Sequence, residues 1–230
     1  MKATFSYAEI VAPNIVTYWF QPERPMRFDP GQFVEIYMPH DSVDNRGHWR
    51  EFSLSSSPNE ELIAITTNFF SHGSTYKQAL KSLTPGTVVT MKEPMGDFVL
   101  PKDCTIPLVF VAAGLGIAPY ASIIKWLLER GEQRDIQLIY SVSSPSEFLF
   151  YDLWKQYDLN FVPLVTRPDN AWKGHAGHLN VDRLLALMRP LERSLIYLAG
   201  PQSFIEPFYN ELLAAGIPRS QLLLDYFPGY

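Results

Sequence analysis

The sequence predicts two domains, an antiparallel β-barrel of six strands followed by an α/β domain built on a parallel sheet. The first hundred residues contain short β-branched and aromatic runs separated by turn residues, whereas strand-like and helix-like segments alternate after about residue 101. Hydrophobic residues make up 47% and charged residues 19% of the 230 residues, as is typical of a globular protein. We therefore predict a barrel domain over residues 1–101 and an α/β domain over residues 102–230.

The barrel strands are separated by turns rich in proline, glycine and asparagine. Their predicted ranges are residues 4–11, 15–21, 32–38, 51–57, 62–69 and 87–92. One helix is predicted over residues 74–83, because Tyr76, Leu80 and Leu83 share a helical face. Six short strands with a single helix are typical of a closed antiparallel barrel.

Strands and helices alternate through the second half of the chain. The predicted strands cover residues 107–113, 136–142, 161–166, 194–199 and 222–226. The predicted helices cover residues 117–130, 147–156, 181–188 and 203–215. This alternation indicates a parallel sheet with helices on both faces.

Composition excludes several functional classes. A net charge of −5 gives no reason to expect nucleic acid or an anionic membrane as a partner. No apolar run is long enough to span a bilayer, and the first residues lack the apolar core of a signal peptide. The single cysteine, Cys104, excludes a disulfide or a four-cysteine iron–sulfur site within these residues, and the five histidines show no metal-ligand spacing. We expect a cytoplasmic protein.

The segment from Arg50 to Pro58 has the residue types that a flavin requires. A flavin needs donors for its phosphates, a flat partner for its ring and a hydrogen-bonding group at its N5 edge. Arg50, Phe52 and Ser53 supply these in turn, with Arg50 and Phe52 on one face of the strand and Ser53 on the other. The alternative is an ordinary strand with one exposed arginine and a serine-rich end.

A second phosphate-binding feature is predicted at the start of the barrel helix. Gly73, Ser74 and Thr75 place backbone N–H groups and hydroxyls where a helix begins, which favours a phosphate. The alternative is a simple helix cap. Lys77 is interpreted as a solvated charge on the helix and is left out of the site.

A glycine-rich turn follows the apolar strand that ends at Ala113. Its sequence is Gly-Leu-Gly-Ile-Ala-Pro, with Gly114, Gly116 and Pro119 at the defining positions. A strand, a glycine-rich turn and a helix place a pyrophosphate at the helix N-terminus. Proline suits the first helical turn, where the N–H group has no helical partner.

Together these segments resemble the ferredoxin–NADP⁺ reductase superfamily. The resemblance rests on the Arg-x-Phe-Ser motif at residues 50–53, the Pro-Gly-Gln-Phe turn at residues 30–33 and the Gly-x-Gly-x-x-Pro spacing at residues 114–119. It implies a barrel that binds FAD and an α/β domain that binds NAD(P)H. In that family the aromatic residue stacks on the flavin and the serine approaches N5, roles that fall on Phe52 and Ser53, and flavin phosphate binding falls on Arg50.

The resemblance extends to two further segments. Gly200 and Pro201 match a loop that lies beside the nicotinamide in that family. The chain ends with an acidic residue followed by aromatics, which implies that Asp225 assists proton movement and that Phe227 covers the second face of the flavin. Tyr230 is the alternative for this stacking role. The chain departs from the family pattern at three positions, namely Ala113, Leu115 and Ala199.

The choice between NADPH and NADH stays open in the sequence. A 2′-phosphate requires cations and hydroxyl groups, which Thr166 and Arg167 supply after the third strand of the α/β domain. This pair favours NADPH slightly. The alternative is that Arg167 is an ordinary surface charge, and residues 141–144 contain no arginine.

The expected function is hydride transfer from NAD(P)H to bound FAD, with Ser53, Asp225 and Phe227 as the catalytic residues. Electrons then pass to a separate carrier such as ferredoxin or flavodoxin. The alternatives are a reductase of free flavin, the reductase component of an oxygenase, and a non-catalytic flavin- or nucleotide-binding regulatory subunit. A basic docking face for an acidic carrier is predicted near the flavin, formed by Arg46, Arg50, Lys77 and Lys81.

Overall fold

A computed structural model describes residues 1–41, 43–69, 74–188 and 193–227 of the chain. For residues 226 and 227 the description covers the backbone. Among the described residues, no helix is long and apolar enough to cross a membrane.

The first sheet has six antiparallel strands, as predicted, in the order β4-β3-β6-β1-β2-β5. A bridge between Leu54 and Ile65 joins the two ends of this order and closes the sheet into a barrel. The strands are β1 (Lys2–Ala12), β2 (Ile15–Pro22), β3 (Phe33–Tyr37), β4 (Trp49–Ser53), β5 (Ile63–Asn68) and β6 (Val88–Met91). Strand β4 ends at Ser53, four residues earlier than predicted, because the chain then turns to β5, where the backbone N–H of Ser55 donates to the carbonyl of Ala64 at 2.9 Å.

One helix, α1 (Thr75–Lys81), closes an end of the barrel. Ser74 caps it by accepting a hydrogen bond from the backbone N–H of Lys77. The hydroxyl of Tyr76 donates to the carbonyl of Ile36 at 2.9 Å, which fixes the helix to strand β3. Its face that bears Tyr76 and Leu80 packs on the barrel core.

The second sheet has six strands, all parallel, in the order β10-β9-β8-β7-β11-β12. Its strands are β7 (Leu108–Ala113), β8 (Ile136–Val142), β9 (Asn160–Val165), β10 (His175–Ala176), β11 (Leu195–Pro201) and β12 (Leu222–Phe227). The helices are α2 (Ala118–Glu129), α3 (Tyr151–Gln156), α4 (Val181–Leu187) and α5 (Gln202–Ala214). Apolar clusters lie on both faces of the sheet, which confirms the predicted α/β architecture.

Two features of the α/β half of the molecule differ from the prediction. Strand β10 is only two residues long, too short to produce an alternating pattern. Helix α3 begins at Tyr151 instead of residue 147, because Pro145–Glu147 forms a separate 3-10 turn and Phe150 has a left-handed φ of 56°. A left-handed residue cannot continue a right-handed helix, so the predicted start was wrong.

The two sheets meet across an apolar interface next to residues 98–101. Phe98, which follows the barrel, stacks edge-on against Tyr197 of strand β11, with ring centroids 5.1 Å apart. The hydroxyl of Tyr197 donates to the carbonyl of Val99 at 2.8 Å, and Arg134 donates to the carbonyl of Pro101 at 2.8 Å. These contacts fix the two sheets relative to each other. The domain boundary at residue 101 stays a prediction.

Gly31 belongs to this interface and has no room for a side chain. A Cβ atom there would lie 2.0 Å from the carbonyl oxygen of Phe98 and 3.3 Å from the Ile123 side chain. Its φ of +102° is also a conformation that side chains disfavour. The Pro-Gly turn therefore brings the barrel directly against the segment that leads to the second sheet.

We expect Gly31→Ala to lower the free energy of unfolding by about 2 kcal/mol more than Gly86→Ala does. Both glycines have a positive φ, +102° and +93°, but only Gly31 faces a backbone atom, since a Cβ at Gly86 meets nothing within 4 Å. Urea unfolding of the two variants measures the difference. Equal losses would contradict the assigned contact.

Candidate active site

A hydrogen bond joins the two sheets at the centre of the candidate site. The hydroxyl of Ser53, the last residue of β4, donates to a carboxylate oxygen of Asp225 in β12 at 2.6 Å. Both side chains are buried, with 4% and 8% of their surface exposed. The fold therefore brings together two predicted site residues that lie 172 positions apart in the sequence, and their roles at a flavin stay predictions.

The surroundings of Asp225 favour its protonated form. Burial raises the pKa of the Asp225 carboxyl to about 6, and the negative charge of Glu51 raises it further, while the hydrogen bond from Ser53 opposes the shift. A carboxyl group with this pKa takes up or releases a proton close to neutral pH.

Tyr120 connects helix α2 to two strands of the second sheet near Asp225. Its hydroxyl donates to the carbonyls of Val111 and Tyr197, at 3.0 and 2.8 Å, and thus ties helix α2 to the neighbouring strands β7 and β11. Burial and the charge of Asp225 raise the pKa of Tyr120 well above its usual value. The phenol therefore stays protonated and acts as a structural donor.

Phe52 precedes Ser53 and points to the opposite side of β4, as predicted. Its ring is 7% exposed and belongs to the barrel core. It lies 6.1 Å from the ring of Tyr76, measured between centroids. Its role as a stacking partner for a flavin stays a prediction.

Arg50 is buried, with 1% of its surface exposed, so the alternative of an exposed surface arginine was wrong. Its guanidinium donates to both carboxylate oxygens of Asp44, at 2.8 and 3.0 Å. It also donates to the carbonyls of Arg46, Gly47 and Trp49, and thereby organises the loop before β4. A phosphate on Arg50 would have to share the guanidinium with this loop.

Lys77 is the residue that the sequence interpretation missed. It is 6% exposed rather than solvated, and its ammonium donates to the Asn68 side chain at 2.7 Å. Burial, together with the nearby charge of Arg46, lowers the pKa of Lys77 to about 8. The sequence signal was its position three residues before the buried Leu80, which places both on one side of α1. Arg50 and Lys77 are both buried, which leaves Arg46 and Lys81 as the exposed members of the predicted basic docking face, and that face stays a prediction.

Cationic side chains therefore converge where α1 begins. Arg46 and Arg50 share the carboxylate of Asp44, whose pKa falls to about 2 mainly through the hydrogen bond from Arg46. Lys77 adds a third positive charge next to Arg46. An arrangement of three cations and one described carboxylate is complementary to an anion with more than one charge, such as a diphosphate.

The hydroxyl groups predicted to contribute to this site lie beside the cations. Ser74 is engaged as the cap of α1, and Thr75 Oγ1 lies 3.3 Å from Nε2 of His40. Gly73, the third predicted member, lies outside the described residues. Phosphate binding by Ser74, Thr75 and Gly73 stays a prediction.

The glycine-rich turn occupies the carboxyl end of β7. Residues Gly114–Ile117 form a 3-10 turn that leads directly into α2, with Pro119 in its first turn. Gly114 has a φ of +54°, and a Cβ atom there would meet nothing within 4 Å, so its surroundings are open. Binding of a pyrophosphate at Gly114 stays a prediction.

Gly116 packs too closely against the end of β11 to carry a side chain. A Cβ atom there would lie 2.1 Å from the carbonyl oxygen of Ala199 and 2.5 Å from the backbone nitrogen of Gly200. Close packing of the turn against the end of β11 therefore requires this glycine. The predicted contact of Gly116 and Pro119 with a pyrophosphate remains untested.

The second predicted nucleotide segment adjoins this packing. Gly200 and Pro201 end strand β11 and are paired with Tyr226 and Phe227 of β12. Pro201 also occupies the N-cap position of α5. This segment thus lies at the same sheet edge as the glycine-rich turn, where open parallel sheets bind ligands.

Thr166 and Arg167 extend the pairing of β9 with β8 beyond the sheet. Their backbone N–H groups donate to the carbonyls of Val142 and Ser143, each at 2.9 Å. The Arg167 side chain is exposed, which leaves it accessible to a nucleotide. Nearby, the carboxylate of Glu147 accepts from Ser144 at 3.2 Å, so this edge presents both a cation and an anion.

The remaining predicted residues fall outside the described side chains. Strand β12 includes the backbone of Phe227, whose side chain is not described, and Tyr230 lies beyond the described residues. Their stacking roles stay predictions. Within the described ranges, no group of three or more histidine, cysteine, aspartate or glutamate residues is arranged to hold a metal ion.

Comparisons with known proteins agree with this geometry. Residues 110–208 match the family described as the oxidoreductase NAD-binding domain. The chain is 29% identical, over 234 aligned positions, to the reductase subunit of stachydrine N-demethylase from Rhizobium meliloti. The alignment covers 95% of this chain and 65% of that protein, so the chain spans slightly less than two thirds of this curated relative.

Two solved structures share the whole fold. The FAD/NAD-binding domain of nitric oxide dioxygenase from Vibrio cholerae superposes with a TM-score of 0.83 at 21% identity, covering 98% of each chain. A ferredoxin NADP⁺ reductase from Neisseria gonorrhoeae with bound FAD and NADP gives a TM-score of 0.79 at 21% identity, covering 100% of this chain and 98% of that one. At this identity the likeness establishes the arrangement of the two sheets.

We expect Asp225→Asn to stabilise the protein increasingly as the pH rises from about 4 to 6, and by a constant amount above that range. The folded-state pKa is raised from 3.8 to about 6, so the native protein binds this proton more tightly, and its stability falls as the pH rises. Asparagine cannot ionise and therefore avoids this loss of stability. Raising the pKa from 3.8 to about 6 corresponds to a loss of about 3 kcal/mol in the free energy of unfolding. Urea unfolding of both proteins across this range measures the difference.

Asp103→Asn is the matched control. Hydrogen bonds from Thr105 lower the pKa of Asp103, so its loss has the opposite pH dependence. A difference between wild type and Asp225→Asn that does not vary with pH would contradict the buried-carboxyl assignment.

Proposed function

We propose that the chain is a member of the ferredoxin–NADP⁺ reductase superfamily, a flavoenzyme that carries electrons from NAD(P)H through FAD to a separate redox protein. The observation that carries this proposal is the buried bond between Ser53 and Asp225. It joins the strand that bears the flavin motif to the carboxyl edge of the sheet that bears the nucleotide turn. We propose that the flavin site and the nucleotide site meet at this bond.

The residues of the barrel support FAD as the resident cofactor. Arg46, Arg50 and Lys77 supply the positive charge that its diphosphate requires, and Ser53 supplies a hydroxyl for the ring edge. When bound, FAD would supply the capacity to take up a hydride from NAD(P)H and to pass electrons on singly or in pairs. We propose that Phe52 contacts one face of the ring and that Phe227, or Tyr230, covers the other.

The protein contributes binding, orientation and proton management. Gly114 and the first turn of α2 would receive the NAD(P)H pyrophosphate, and Gly200 and Pro201 would lie beside the nicotinamide. Ser53 would orient the ring edge, since its hydroxyl is already fixed by Asp225. Asp225 would hold or release a proton at its carboxylate oxygen near neutral pH.

The acceptor is proposed from chemistry and from the named relatives. The relative from Rhizobium meliloti is the reductase subunit of a demethylase, which supports the partner component of such a system as acceptor. The single cysteine of these 230 residues is insufficient for a four-cysteine cluster, which favours a centre outside these residues as the acceptor. A ferredoxin- or flavodoxin-type carrier satisfies the same requirement.

The proposal predicts that purified protein binds FAD, is yellow, and bleaches on anaerobic addition of NADPH or NADH. Absorbance near the flavin band measures this directly. Faster bleaching with NADPH would favour a phosphate contact at Arg167, whereas equal rates would remove that argument. Protein that binds FAD but is not reduced by either nucleotide would instead indicate a regulatory subunit.

We expect Ser53→Ala to slow reduction of bound FAD by NAD(P)H by about tenfold while FAD content stays close to that of the wild type. The hydroxyl is lost from the ring edge, but the phosphate-binding cations remain. Ser82→Ala is the control, because the Ser82 hydroxyl bonds within the end of α1, to the carbonyl of Ala79 at 2.8 Å. Rapid mixing under anaerobic conditions gives both rates, and an unchanged rate in Ser53→Ala would reject its role.

A further inference from the structure

A second polar joint connects the two sheets, away from the Ser53–Asp225 bond. On the barrel side it is formed by the turn between β4 and β5, residues 57–60. On the other side it is formed by the last two turns of α2. We refer to this set of contacts as the α2 clamp.

Glu129 makes the first half of the α2 clamp. One of its carboxylate oxygens accepts from the hydroxyl of Ser57 at 2.5 Å and from the side-chain amide of Asn59 at 2.7 Å. Ser57 is completely buried, and its hydroxyl also accepts from the backbone N–H of Asn59. Three groups of the turn are thus organised around one carboxylate of α2.

Lys125 and Glu60 make the second half. Lys125 lies one helical turn before Glu129, so both side chains project from one face of α2. Its ammonium contacts both carboxylate oxygens of Glu60, at 3.2 and 3.3 Å, and lies 5.3 Å from the ring centre of Trp19 in β2. Glu60 in turn accepts from the backbone N–H of Ser57 at 2.7 Å.

Glu129 lies at an electrostatically unfavourable position in α2, and the contacts of the clamp offset this penalty. Glu129 is the last residue of α2, and a carboxylate at a helix C-terminus faces the negative end of the helix dipole. This placement is unfavourable for the isolated helix. The hydrogen bonds to Ser57 and Asn59 offset it only when the two sheets are docked.

The α2 clamp links the segment that follows Ser53 to the helix that carries the glycine-rich turn. The clamped turn begins four residues after Ser53, and the other end of α2 carries the glycine-rich turn Gly114–Ile117. A helix of 12 residues is about 18 Å long and transmits orientation as a rigid rod. Fixing its C-terminal end therefore fixes where the nucleotide turn lies relative to Phe52 and Ser53.

We propose that Glu129 and Lys125 are positioning residues that set the separation of the NAD(P)H and flavin sites through the α2 clamp. The proposal rests on the function proposed above. Hydride transfer requires reacting atoms within about 3–3.5 Å, and a misplacement of roughly 1 Å reduces such rates by about a hundredfold. Loosening the clamp should therefore slow transfer more than it weakens nucleotide binding.

The test compares Glu129→Ala with Glu129→Gln in the holoenzyme. Glutamine keeps an acceptor for Ser57 and Asn59, whereas alanine removes it. We expect Glu129→Ala to lower the rate of flavin reduction at saturating NAD(P)H by about tenfold, with KM within about twofold. Glu129→Gln should retain most of the wild-type rate. Glu211→Ala, at an exposed glutamate on α5, is the matched control and should leave the rate unchanged.

Asn59→Ala removes one contact of the clamp on the barrel side and should lower the rate of flavin reduction by a smaller factor. This variant replaces Glu129→Ala in the test if Glu129→Ala does not fold. An unchanged rate in Glu129→Ala, or an equal loss in Glu129→Gln, would overturn the proposal. So would a loss that lies entirely in KM.

Amide hydrogen exchange keeps this test separate from the proposed function. The backbone N–H groups of Ser57 and Asn59 are bonded within the clamp, so Glu129→Ala should speed their exchange about tenfold even in protein that is never reduced. A wild type that NAD(P)H does not reduce would reject the proposed function. Unchanged exchange at both amides in Glu129→Ala would reject the clamp.

Discussion

The hydrogen bond from Ser53 to Asp225 sets the geometry on which the rest of the candidate site depends. It forms only because the barrel and the parallel sheet dock closely, with Gly31 directly against the backbone of Phe98. Docking in turn places the end of β4 next to the carboxyl edge of the second sheet, where Gly114 and Gly200 lie. The bond therefore marks the place where a group held by the barrel meets a nucleotide held by the sheet.

Several ionisable side chains of the candidate site are buried, and burial is energetically unfavourable for their charged forms. Asp225 has its pKa raised to about 6, while Lys77 has its pKa lowered to about 8, in both cases mainly by burial. Arg50 is buried as well, but its charge is compensated by Asp44. Perturbed groups of this kind gather at functional sites. Here they separate into a cationic end that suits phosphates and a proton-exchanging end that suits redox chemistry.

The sequence was sufficient to predict the architecture because its signals are local. Six short strands bounded by turns, then alternating strands and helices, predict both sheets, and local motifs predict that Ser53 and Asp225 belong to the site. The environment of Lys77 was not predictable from such signals, because its hydrogen bond goes to Asn68 and its pKa is lowered in part by the charge of Arg46, both of which lie in other segments. The same holds for Gly116, whose requirement for glycine comes from Ala199, 83 positions later.

A crystal structure of the protein with FAD tests the central claim most directly. We predict that the ring edge of the flavin lies within hydrogen-bonding distance of the Ser53 hydroxyl and beside Asp225, with the diphosphate bound by Arg46, Arg50 and Lys77 at the start of α1. A flavin ring bound away from Ser53 and Asp225, or a diphosphate that contacts none of these three cations, would contradict the account.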